Sequence, residues 1–352
     1  MSNYSISKRD ITIFFMVTFG LTIVMGIAMG LVYSKHQVTS FVLLQMYYPA
    51  MGVIIALLSS RERRKDLPIK FFGTYLFFSI TSVLYLVLQI FIFNQDPGSH
   101  LNFWMIIGSI SLAFMYIDEG NEKMSSSGLQ FSKNKGVSIL YIAIFIILYI
   151  FRFTLTALIL GGNPKDIFTP FLNPVILIRM LLLPLSFFVG IMPYIGEELG
   201  WRYFLQPILQ KNIGKRKGII LLGLIWGIWH LPVNLFYHSP TMSFYNVLNQ
   251  LIVCLGYSAF LGFVYMKTEN IWTISMIHFL NNNLGVVICS GTGGADFVFS
   301  WKSVLLSPIC FSLIYLSFLF SKEYNKAKIS PPMQVADTDY NTQTEGTNSP
   351  PQ

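Results

Sequence analysis

Residues 191–206 read IMPYIGEELGWRYFLQ: two adjacent carboxylates, Glu197 and Glu198, with Arg202 one helical turn on, in a stretch that is otherwise apolar. Together with the apolar residues before it, this stretch is of membrane-crossing length. Burying an ionised group at mid-bilayer costs at least ~2.5–3.5 kcal/mol even on the lenient insertion scale. Charges kept there against that cost mark a site. The plainer alternative is a short helix end with solvated charges, since Lys211 follows closely.

Composition supports the membrane setting. The chain has 352 residues, 53% hydrophobic and only 11% charged, where soluble domains carry about 25% charged residues. Its apolar residues come in runs of about 20, the length a spanning helix needs, without the alternation of a membrane barrel. The fold class expected is all-α, a polytopic helical membrane bundle of eight to ten transmembrane helices. Ten candidate spans cover 11–33, 38–60, 71–93, 102–116, 137–160, 175–196, 219–238, 246–267, 271–290 and 304–320. The first is too long for a cleavable signal core and reads as a retained span. The fourth is short enough to lie at the interface.

The net charge of +8 does not point to nucleic acid, because the basic residues sit in short loops between spans, as topology signals do. With the N-terminus in the cytoplasm, eighteen of the 24 Lys and Arg residues fall inside. Lys35, Lys165 and Lys302 fall outside, and Arg152, Arg179 and Arg202 lie within or beside spans. The expected location is the cell membrane, multi-pass, with both termini cytoplasmic. Residues 1–136 form N-terminal helices of no assigned role, 137–320 a catalytic bundle, and 321–352, polar and Pro/Thr/Asn-rich, a disordered cytoplasmic tail. Cys254, Cys289 and Cys310 lack metal-ligand spacing and read as small buried hydrophobes. The abundance of Ile, Asn, Lys, Ser and Phe suggests a bacterium with an AT-rich genome.

Three segments carry the chemistry. In the first, Glu198 and Arg202 stand at i and i+4 and face each other on a helix. Glu197 is about 100° round and is left free to act as a base. In the second, Trp226-Gly227-Ile228-Trp229-His230 is followed by Pro232 and Asn234. His230 lies inside a span, either as a packing histidine or as part of the site. In the third, His278 and Asn282 are again i and i+4. Together they are able to donate two hydrogen bonds to one developing oxyanion; the alternative is that Asn281, Asn282 and Asn283 are interhelical glue. Helix arithmetic sets all three segments about 10–20 Å below the cytoplasmic surface.

The order Glu-Glu-x-x-x-Arg, aromatic-x-x-x-His, His-x-x-x-Asn resembles the CPBP family, also called ABI, which groups type II CAAX prenyl proteases with bacteriocin-processing and self-immunity proteins. The resemblance covers about residues 180–290. It implies an intramembrane glutamic endopeptidase in which Glu197 activates water, helped by His230. Glu198 and Arg202 would hold the site together, and His278 and Asn282 would stabilise the oxyanion. Trp226 stands where the eukaryotic branch has Phe, which fits the bacterial branch better. No cofactor is expected, although two histidines and a glutamate also suit zinc with an open position. The expected partners are the lipid bilayer and a peptide, lipidated or membrane-protein substrate reaching the site from the cytoplasmic side. Two other classes remain open: a non-catalytic bacteriocin-immunity scaffold, and a proton-coupled transporter using Arg152 and Arg179.

Overall fold

The computed structural model describes residues 5–163, 165, 168–238, 243–289, 301–325 and 334–335. The apolar runs are helical because lipid offers a backbone N–H or C=O no partner, and a helix satisfies both within its own segment. In chain order the helices are α1 (Lys8–Val32), α2 (Thr39–Gln45), α3 (Tyr48–Leu58), α4 (Ile69–Val87), α5 (Gly98–Ser126) and α6 (Lys135–Ile159). Then come α7 (Pro174–Val189), α8 (Ile191–Glu198), α9 (Gln206–Ile213), α10 (Lys215–Trp229), α11 (Ser243–Thr268), α12 (Ile271–Cys289) and α13 (Trp301–Leu316). A two-residue parallel bridge pairs Ser5–Ile6 with Gln334–Val335.

Among the described residues seven helices are long and apolar enough to cross a membrane, or up to nine if each of two bent pairs counts as one span. The polytopic all-α bundle is thus as expected, and the seven to nine spans among the described residues overlap the eight to ten expected. The fourth span is not short: α5 runs on to Ser126, past a break at Gly120, where φ is 77°. Of the tenth, Pro308–Phe320 is a shorter apolar helix among the described residues.

Two expected straight spans are broken. The span placed at 175–196 turns by 71° between α7 and the helix Ile191–Ile213. The span placed at 219–238 bends by 44° after Trp229, where Pro232 lacks the N–H that a continuing helix needs. Both breaks lie beside residues singled out above. A π-helical turn, Leu199–Leu205, joins α8 to α9, and a second, Asn234–His238, ends the bent α10 segment; π-turns of this kind recur at functional sites.

The charges gather at one face. Arg63 pairs with Asp10 at 2.7 Å, Lys70 with Asp118 at 2.5 Å, Lys133 with Glu269 at 2.6 Å and Lys267 with Glu323 at 2.6 Å. Residues 321–325, assigned to the disordered tail by composition, pack onto this face: Tyr324 donates to the Ala259 carbonyl at 2.6 Å, and Arg216 reaches Asn325 at 2.7 Å. The rest of the tail, apart from 334–335, lies outside the described residues. In the core, α10 lies along α11, α11 along α13, and α3 against α1 and α8.

Candidate active site

The helix carrying the glutamates approaches its neighbour unusually closely. Gly196 and Gly200 flank Glu197–Glu198 at i and i+4, a small-xxx-small spacing that lets helices come close in lipid. A Cβ at Gly196 would collide with the Met46 carbonyl and the Tyr75 hydroxyl, and one at Gly200 with Pro49. Both carboxylates are thereby driven into the interior: Glu197 is 2% exposed, Glu198 and Arg202 0%.

Glu198 is shared. Its Oε2 lies 3.0 Å from Arg202 Nε, the i,i+4 contact expected from spacing. The angle does not make this an aligned hydrogen bond, and no guanidinium nitrogen of Arg202 finds an acceptor among the described residues. The pair is therefore read as an ion contact, supplemented by the guanidinium lying 4.9 Å over the Trp226 ring. Glu198 Oε1 accepts from His278 Nδ1 at 2.7 Å. A carboxylate only accepts, so Nδ1 carries a hydrogen. One ring nitrogen of His278 is thus committed to Glu198, and Nε2 remains for other work.

Glu197 has different company. Its Oε2 accepts from the indole N–H of Trp226 at 2.8 Å and of Trp201 at 3.2 Å. Its partners are neutral donors, while the cation beside it is matched to Glu198. Arg202 thus contacts Glu198 and not Glu197, as the 100° offset leads one to expect.

His230 is fixed by the break in its own helix. Its backbone N–H turns to the Gly227 carbonyl at 3.2 Å, which frees the Trp226 carbonyl to accept from His230 Nδ1 at 2.8 Å. A carbonyl cannot donate, so Nδ1 holds the hydrogen and the neutral ring presents Nε2 as an acceptor. Asn234 donates to the His230 carbonyl at 3.1 Å, and Gln45 donates to the Trp229 carbonyl at 2.8 Å, bracing the bend from both sides.

Glu197, His230, His278 and Asn282 all line one cavity of about 360 Å³. Asn282 Oδ1 accepts from Asn281 at 2.9 Å, and its side chain also bonds the Tyr194 hydroxyl. Of the three asparagines, Asn283 does act as interhelical glue, donating to the Tyr194 hydroxyl at 3.1 Å. Glu198 and Arg202 lie buried behind this lining, against His278 and Trp226. No group of three His, Cys, Asp or Glu side chains among the described residues stands close enough to hold a metal ion. Arg152, offered as a carrier's clue, stacks on Tyr149 and Phe311 at 4.6 and 5.1 Å, away from the cavity lining.

Sequence reasoning missed Trp201 and Gln45 altogether and saw Trp226 only as a departure from Phe. The small-xxx-small glycines around the glutamates were the available signal for the close helix approach. Nothing in the sequence marks Gln45, which lies 184 residues from its partner.

These features define a polytopic membrane protein with two buried glutamates and two histidines gathered about one cavity. Residues 179–284 match the family model described as Type II CAAX prenyl endopeptidase Rce1-like, a match consistent with the CPBP, or CAAX-protease, family and covering all six site residues. No curated protein and no solved structure matches the chain. The matched family supports a CAAX-protease-like intramembrane endopeptidase in general terms.

Proposed function

We propose that the chain is a glutamic-type intramembrane endopeptidase whose site is the cavity shared by Glu197, His230, His278 and Asn282. The observation that carries this reading is the placement of Glu197: a carboxylate braced on one oxygen by two indole N–H groups, facing the same space as an imidazole acceptor and an amide donor.

In this reading, water oriented by His230 Nε2 gives a proton to Glu197 as its oxygen attacks the scissile carbonyl carbon. The carbonyl oxygen becomes an oxyanion, met by an amide hydrogen of Asn282 and by a hydrogen on His278 Nε2. His278 then works as the doubly protonated ring, its other hydrogen on Glu198. The proton held by Glu197 passes to the departing amine as the C–N bond breaks. Glu198 and Arg202 touch no reacting atom; they position His278 and the helix. Preorganised donors aimed at a developing oxyanion in a water-poor site are the largest usual source of such rate enhancement. The basic face is read as cytoplasmic by the positive-inside rule, which puts the N-terminus there.

The test is cleavage of a peptide panel by purified, detergent-solubilised protein, wild type against Glu197→Gln, with and without chelator. The substitution keeps size and removes the base. Expected are wild-type cleavage indifferent to chelator and its loss in Glu197→Gln. Loss on chelation moves the reading to metal-dependent hydrolysis. Retained cleavage in Glu197→Gln removes the glutamic mechanism. A cellular phenotype that survives the substitution favours an immunity scaffold.

A further inference from the structure

Among the described residues, the cavity is filled in towards the basic face and lined towards the opposite one. Beneath Glu197, towards the basic face, the interior is filled. Phe204, Leu205 and Ile208 are buried there, Gln206 donates to the Gly262 carbonyl at 3.1 Å, and Lys267 and Glu323 close the end at 2.6 Å. Counted along their helices, Glu197 lies about 16 residues before Ile213 and Trp226 about 11 after Lys215, roughly 24 and 16 Å from the basic ends at ~1.5 Å per residue. In a hydrocarbon core of about 30 Å, that reaches mid-membrane, while His278, seven residues after Ile271 and so roughly 10 Å from the basic end of its helix, marks the shallow edge of the same site.

The remaining lining residues lie towards the opposite ends of the same helices. Val42 sits in the first turn of α2, Gln250 near the start of α11, and His238 at the exposed end of the π-turn. That turn is anchored to the far end of α1, with Phe236 against Tyr33 at 5.2 Å between ring centroids. Asn282, also exposed, is on the half of α12 remote from Asn270 and the basic face. Catalytic residues thus form the floor, and the walls rise away from the basic loops.

The walls have a definite chemistry. Val42, Met46, Val233 and Val253 give apolar surface, while Gln250 and Asn281 give amides. Among the described lining residues, Glu197 is the one acid and there is no Lys or Arg. Amides pair with a peptide backbone without regard to sequence, whereas a charged side chain held among the walls, away from Glu197 and the histidines, would lose its solvation without a counter-ion. At about 360 Å³ the space is at the small end of ligand cavities, typically ~300–1,000 Å³, which suits a short extended segment.

We propose that the substrate reaches Glu197 from the face opposite the basic loops, the extracytoplasmic side, as a short uncharged segment of an exported or surface-presented peptide. This rests on the cavity being the proteolytic site, but the direction of access is read without any activity assay. In protoplasts expressing the full chain with Cys254, Cys289 and Cys310 changed to Ser, single cysteines are introduced as Val42→Cys, Gln250→Cys and, on the basic face, Lys217→Cys. Each is exposed to a membrane-impermeant maleimide before and after permeabilisation. Expected is labelling of the Val42→Cys and Gln250→Cys proteins in intact protoplasts, with Lys217→Cys labelled only after permeabilisation. Labelling of the cavity cysteines only together with Lys217→Cys, labelling of Lys217→Cys alone from outside, or no labelling of the cavity cysteines even after permeabilisation overturns the proposal. Failure of the enzyme reading appears separately, as cleavage by Glu197→Gln, and leaves the labelling pattern intact.

Discussion

The indole N–H of Trp226 donates to Glu197 Oε2 at 2.8 Å, while the carbonyl of the same residue accepts from His230 Nδ1 at 2.8 Å. One residue thereby sets the carboxylate and the imidazole against the same cavity. Its ring also carries the Arg202 guanidinium on its face and meets His278 edge-on, 5.8 Å between centroids. A phenylalanine would keep the ring and the carbonyl but not the N–H.

Trp226→Phe is therefore expected to lower kcat by roughly tenfold or more with KM little changed, the worth of a hydrogen bond to a charged group at ~1.5 kcal/mol or above. Trp201→Phe, which removes the longer 3.2 Å bond, costs less. Steady-state cleavage kinetics of the two variants check this, and wild-type kcat in Trp226→Phe would refute the bracing role.

The two glutamates should separate in a stability measurement. Glu198→Gln leaves the fully buried Arg202 without its carboxylate, and breaking a buried ion pair from one side typically costs about 3–5 kcal/mol. Glu197→Gln removes a charge whose partners are neutral indoles, so its stability stays within about 1 kcal/mol of wild type. Unfolding in detergent should show a large destabilisation for the first substitution and a small one for the second. Equal stabilities would remove the distinction drawn between them.

Close approach at the glutamate helix depends on missing side chains. Gly200→Ala pushes a methyl group into Pro49, and Gly196→Ala pushes one into the Met46 carbonyl and Tyr75. Overpacking of this kind costs about 1–3 kcal/mol. The expected result is a lowered unfolding midpoint for each, compared with Gly20→Ala, where an added Cβ meets nothing within 4 Å.

Gln45 braces the bend at His230 from another helix. Gln45→Met keeps the volume but leaves the Trp229 carbonyl without its donor, a loss of about 1 kcal/mol. Because the bend aims His230, kcat should fall several-fold while substrate affinity changes little. An unchanged kcat would show that Pro232 and Asn234 hold the bend unaided.

By itself the sequence determined the membrane bundle and the residues proposed for the site. Composition and run length fix the first, because lipid-facing helices must be apolar along about 20 residues. Within one helix the geometry is periodic, so i,i+4 spacing was enough to pair Glu198 with Arg202 and to set Glu197 apart. Tertiary structure alone decided what crosses between helices: His278 on Glu198, 80 residues away, Trp226 on Glu197, and Gln45 on Trp229. Those contacts depend on how closely helices approach and where they break. Gly196, Gly200 and Pro232 permit both, but their consequences appear only when a neighbouring helix is packed against them. The direction in which the cavity rises was hidden for the same reason: hydropathy gives each helix its length, and packing decides which of its ends is filled.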